Sequence, residues 1–122
     1  MARLAYLALI LSCLWSSPAV SQTRPWTTEE TYWALGFVAA SYADWSTTSD
    51  IIGRNGYKEL NPLIGPHPTQ ARINLHFMIA VPMVLFAADY FEKDRTTILQ
   101  MLTAVEILAT GNNLNIGLRF KF

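Results

Sequence analysis

Residues Ala71 to Phe91 read ARINLHFMIAVPMVLFAADYF. Between Ile73 and Ala88 this run holds no carboxylate, lysine or arginine. Its 21 residues match the ~20 that an α-helix needs to cross a hydrocarbon core. Asn74 and His76 fall in its first turns, and Pro82 in its middle predicts a kink. A helix this apolar sets the solvent for everything packed beside it, so the flanking segments are read as its partners.

Downstream, Glu92-Lys93-Asp94-Arg95 is a four-residue charged turn, short enough to join only two antiparallel helices. The next helix is predicted from Thr96 to Thr110, with Gly111 ending it as a C′ residue. Thr103, Glu106, Thr110 and Asn113 recur at three- and four-residue spacing and form its polar face. The tail then changes period. Leu114, Ile116, Leu118, Phe120 and Phe122 alternate with polar or small residues, which is a strand pattern. No other segment repeats that alternation, so a transmembrane β-barrel is rejected.

Upstream lies a loop from Gly53 to Gln70, punctuated by Gly53, Gly56 and the prolines 62, 66 and 68. Before it, a helix is predicted over 29–52, N-capped by Thr27 or Thr28, with Glu29 and Glu30 in the first turn where the dipole favours acids. Gly36, Ala40, Asp44 and Thr48 recur every fourth residue and build a face of small and polar groups suited to close helix approach in lipid. Trp26, Trp33 and Trp45 suit the interfacial aromatic belt.

The N-terminus has the layout of a secretory signal peptide: Arg3, an apolar run from Leu4 to Trp15, and small residues at Ala19 and Ser21. Cleavage is expected before Gln22. The lone Cys13 lies in the apolar run, makes no internal disulfide and lacks a lipidation context. Only 15% of the 122 residues are charged, against roughly 25% in a soluble domain. The net charge of zero offers no electrostatic basis for a nucleic-acid partner.

The expected fold is therefore all-α: a polytopic membrane helical bundle of three helices (29–52, 71–91 and 96–110) behind a signal peptide at 1–21, with a short extended C-terminal tail. Residues 22–122 form its single domain. With the precursor's N-terminus inside, Arg54, Lys58, Arg72, Arg119 and Lys121 are cytoplasmic, whereas Arg24, Lys93 and Arg95 are outside. That asymmetry obeys the positive-inside rule and predicts the bacterial inner membrane.

Three stretches carry a resemblance: Ala43-Asp44-Trp45 with Thr48, then Glu59-x-Asn61-Pro62-x-x-Gly65-x-x-Pro68, then Gly117-x-x-Phe120-x-Phe122. Together they resemble a group of small uncharacterised membrane proteins of bacteriophages, prophages and proteobacteria. The resemblance spans most of the chain after the signal and implies an envelope setting, with no chemistry to carry over.

Asp44, Glu59, His76 and Glu106 are the titratable groups that can converge, and ionisable groups within a membrane are functional candidates by default. Their spacing matches no zinc signature, and no metal or cofactor is expected. The favoured role for Asp44, Thr48, Glu59, Asn61, Glu106 and Asn113 is a structural polar network fixing helix register. Asn61 is expected to bond freed backbone groups near Gly53, and His67, between two prolines, to be an exposed loop residue. The expected function is that of a non-enzymatic membrane protein packing against itself or an envelope partner, with phage lysis or host exclusion as the setting. The alternative is an intramembrane enzyme, or a metal- or proton-binding protein, using the Asp/Glu/His cluster. The expected partners are the lipid bilayer, a second copy or an envelope protein.

Overall fold

A computed structural model describes residues 24–122; the signal-peptide reading lies outside the described residues. The described residues fold into three helices, α1 (Thr28–Ser49), α2 (Gln70–Tyr90) and α3 (Arg95–Asn115), with no strand among them. α1 packs chiefly along α3, and α2 leans on both less extensively. α2 is long and apolar enough to cross a membrane.

α1 starts at a full capping box. Thr27 Oγ1 accepts from the Glu30 backbone N–H at 3.1 Å, and Glu30 Oε2 accepts from the Thr27 N–H at 2.8 Å, which satisfies two orphan donors at once. The helix ends at Ser49, short of the 52 expected. From Asp50 to Ile52 the backbone N–H groups bond three residues back instead of four, to Thr47, Thr48 and Ser49, so the last turn tightens into the loop. α2 begins on the Thr69 cap and runs unbroken through Pro82.

Two expectations for the C-terminal region are corrected. Gly111 does not stop α3, which continues to Asn115. A Cβ at Gly111 would meet nothing within 4 Å, and it is Gly117, at φ 97°, that takes the left-handed conformation after the helix. The alternating tail does not pair as a strand. It folds back on α1: Lys121 N–H donates to Ser46 Oγ while Ser46 Oγ donates to Lys121 O, both at 2.9 Å. Arg119 N–H donates to Asp50 Oδ2 at 2.9 Å, and Leu118 is fully buried. Its alternation thus serves one buried leucine and two backbone anchors.

The distribution of polarity is inverted relative to a water-soluble domain. Leu35 and Val38 on α1, Met78 and Phe86 on α2, and Val105 and Leu108 on α3 are exposed. Ser41, Ser46, Thr47, Thr48, Thr103 and even Arg95 are buried. The apolar core among the described residues is small. Phe37, Ala88 and Leu99 form its cluster at the α2–α3 hairpin end, with Trp26 and Trp33 packed against them, and Ile51, Ile64, Ile73 and Leu118 are buried as well. On the face of Gly36, Ala40, Asp44 and Thr48, a Cβ at Gly36 would meet nothing within 4 Å, whereas Asp44 and Thr48 bond to Asn113 of α3.

Candidate functional site

The opposite end of the bundle is polar inside. Asp44, Thr47 and Thr48 share one face of α1 because they stand three and four residues apart. Asn113 lies seven residues beyond Glu106, two turns along α3, and so projects from the same side of that helix. Asn113 Nδ2 donates to Asp44 Oδ1 at 3.1 Å, Thr47 Oγ1 at 3.0 Å and Thr48 Oγ1 at 3.2 Å. Thr48 Oγ1 itself donates to Asp44 Oδ1 at 3.3 Å. One amide therefore ties three α1 side chains to α3. Glu106 flanks Asp44 and Ser41.

The Pro-rich loop closes this end. Glu59 N–H donates to Pro66 O at 3.2 Å, and Asn61 O accepts from the N–H groups of Ile64 and Gly65 at 3.1 and 2.9 Å. Asn61 Oδ1 accepts from Leu63 N–H at 3.0 Å, an Asx turn ahead of Pro62. Glu59 Oε1 accepts from Asn61 N–H at 2.8 Å. Gly65 takes φ 87°, and a Cβ there would stand 3.4 Å from the Arg72 guanidinium. Buried Ile64 anchors the loop against the bundle. Asn61 does not reach the backbone near Gly53 as expected. Its Nδ2 lies 3.3 Å from His76 Nε2 and ties the loop to α2, because the loop folds over the α2 side.

Asp44, Glu59, His76 and Glu106 all line one cavity of about 490 Å³, together with Lys58 and Asn113. They share the cavity without converging on a point: no group of three or more His, Cys, Asp or Glu among the described residues is placed to hold a metal ion. The cavity is also lined by Ile51, Leu60, Val105 and Ile116, so its acids are set among aliphatic surface. His67 is exposed in the loop.

A second polar centre, not foreseen as a site, lies at the hairpin end. Arg95 is fully buried. Its guanidinium donates to Ala88 O at 3.1 Å, Arg24 O at 3.2 Å, Glu30 Oε2 at 3.4 Å and Asp89 Oδ1 at 3.2 Å. It also lies 4.6 Å over the Trp26 ring, whose Nε1–H donates to Asp89 Oδ1 at 2.8 Å. Arg24 pairs with Glu30 as well. Hydrogen bonds from Arg24 and from the Thr27 backbone hold the Glu30 carboxyl down at about 2. One sequence signal was available: a cation in the first turn of α3 opposes the helix dipole, so Arg95 needs acceptors from elsewhere in the fold.

Compared with known protein families, with curated proteins and with solved structures, the chain finds no match in any of the three.

Proposed function

We propose that this chain is a small non-enzymatic integral protein of the bacterial inner membrane, with all three helices crossing lipid, that acts by packing against a second copy or an envelope partner. One observation carries the reading: the helices turn aliphatic and aromatic side chains outward and hydroxyls and ions inward. In water such an exterior is an aggregation liability. In hydrocarbon it is the ordinary arrangement, because lipid-facing polar groups are costly and inward ones bond each other. The apolar crossing of α1 begins after the Glu30 turn, which leaves the Arg95 centre at the headgroup level. An envelope role also fits the resemblance of the motifs to phage and proteobacterial membrane proteins. Membrane fractionation tests the proposal: the protein should stay with the inner membrane through carbonate washing, and recovery as soluble periplasmic protein would refute it.

A second reading, binding of a ligand or proton at the acid-lined cavity, is favoured by the shared cavity of Asp44, Glu59, His76 and Glu106. Asp44→Asn separates the two readings. It keeps the shape and most hydrogen bonds, so under packing alone both protein level and phenotype persist. Under binding, the phenotype is lost while the protein level holds.

A further inference from the structure

We propose that the apolar groove along α2 beside the Pro-rich loop seats an acyl chain of an anionic phospholipid, whose phosphate meets the Arg72 guanidinium; this rests on the membrane reading. The groove, of about 480 Å³, is walled by Leu63 of the loop and by Leu75, Ile79 and Met83 of α2. All four of those side chains are exposed. Arg72 lines the groove in the first turn of α2, and no carboxylate lines it. His76 supplies the only other polar side chain of its wall, and its Nε2 lies 3.3 Å from Asn61 Nδ2 of the loop. The groove thus has one cation at the loop end and hydrocarbon along the rest, which is the complement of an anionic amphiphile.

The Arg72 fork is placed and uncommitted. Gly65 packs beside it, so that a Cβ there would stand 3.4 Å from the guanidinium, and Arg72 is in no ion pair among the described residues. A guanidinium offers phosphate two parallel donors. The surrounding charge has the matching sign. Arg54, Lys58, Arg119 and Lys121 are exposed at the same end of the bundle. Of the acids there, Asp50 is taken by Arg54 and the Arg119 N–H, and Glu59 accepts from the Asn61 N–H. Glu59, like Asp44 and Glu106, lines the neighbouring cavity and not this groove. Length selects a lipid. From Arg72 to Met83 the helix rises about 16 Å, close to the ~15 Å of hydrocarbon in one leaflet, half of a ~30 Å bilayer core. In the expected topology this end is cytoplasmic, where anionic headgroups gather basic residues.

Native mass spectrometry of the full chain, released from an uncharged detergent, tests the proposal with palmitoyl-oleoyl phosphatidylglycerol, the phosphatidylcholine of the same chains, and glycerol 3-phosphate as probes. Phosphatidylglycerol should bind at least about tenfold more tightly than phosphatidylcholine, and glycerol 3-phosphate should not saturate. Arg72→Gln should remove most of that tenfold preference, whereas Arg119→Gln, a cation at the same end outside the groove, should keep it. Ile79→Trp fills the groove from an exposed position and should weaken both lipids about tenfold or more. Circular dichroism checks that each variant is folded. Equal binding of the two lipids by the folded wild type would overturn the proposal. So would a preference untouched by Arg72→Gln, a preference lost equally in Arg119→Gln, or saturable binding of glycerol 3-phosphate alone. A lipid-free dimer that Ile79→Trp dissociates would assign the groove to a second copy and overturn it as well. Protein that resists carbonate washing yet shows no lipid preference sinks this proposal alone, whereas soluble recovery refutes the membrane reading before any lipid is added.

Discussion

Asn113 on α3 donates from one Nδ2 to Asp44, Thr47 and Thr48 on α1, at 3.0 to 3.2 Å. No other described side chain links so many groups of a neighbouring helix at the polar end of the bundle. Replacing it with leucine keeps the approximate size but removes the amide donor from Asp44, whose Oδ1 keeps only Thr48, and leaves Thr47 and Thr48 with partners on α1 alone. Asn113→Leu should therefore cost about 1–3 kcal/mol, read as an earlier midpoint in SDS titration of the protein in mixed micelles. Asn113→Asp replaces the donor with an acceptor facing Asp44 and should destabilise at least as much at neutral pH. If both variants unfold at the wild-type midpoint, the network is not part of the folded structure.

Arg95 should be the most sensitive charged position. Its side chain is fully buried and reaches Glu30 and Asp89; removing it leaves Glu30 to Arg24 alone and takes the charged donor away from Asp89, Ala88 O and Arg24 O. Arg95→Met should cost about 3–5 kcal/mol. Arg95→Lys keeps the charge but loses the planar fork that serves several acceptors at once, so it should fall between Met and wild type. Trp26 emission reports the same event, since the indole sits under the guanidinium and should change environment in Arg95→Met. Unchanged stability and emission in Arg95→Met would contradict the buried geometry.

The three helices were legible from hydrophobic runs and turn residues, because those signals are local. Asp44 and Glu106 stand on polar faces of otherwise apolar helices, and both line one cavity. The importance of Arg95 was not legible as more than a charged turn. Its burial depends on Glu30 and Trp26, more than sixty positions away in sequence. The tail's alternation is a strand pattern. The pattern is real, but its partner is the end of α1 and not another strand.

The same limit applies to the glycines. Gly111 reads in sequence as the stop of the last helix, whereas it lies within α3 with open space where a Cβ would be. Gly117 is left-handed, and a Cβ there would stand 3.0 Å from the Tyr57 hydroxyl, which donates to Ile116 O. Gly111→Ala should therefore be neutral or stabilise by up to ~1 kcal/mol. Gly117→Ala should destabilise by ~1–2 kcal/mol through backbone strain, with added loss as Tyr57 is displaced. The paired midpoints in one denaturant titration check this. Equal effects at the two sites would be inconsistent with α3 ending at Asn115.

Acid should act through Glu30. Its carboxyl is held at about 2, below its ordinary 4.5, so the folded state favours the ionised form. The stability this contributes is complete above pH 4.5 and fades as the pH falls toward 2. In that window the wild type should lose stability more steeply than Glu30→Gln, which lacks the titrating group. Unfolding midpoints measured in micelles across the window test this, and parallel pH profiles for the two proteins would contradict it.

The central claim is that apolar faces meet lipid and polar faces meet each other. Spin labels at single cysteines, introduced in a background where Cys13 is replaced by serine, test it in reconstituted bilayers. Met78 and Phe86 on α2 and Leu108 on α3 face outward, whereas Thr47 on α1 is fully buried. Relaxation by oxygen, which concentrates in lipid, should exceed relaxation by a water-soluble nickel chelate at positions 78, 86 and 108, and a label at 47 should be shielded from both reagents. Stronger relaxation by the nickel chelate at 78, 86 and 108 would mean that these faces meet water, and the membrane-bundle account would be wrong.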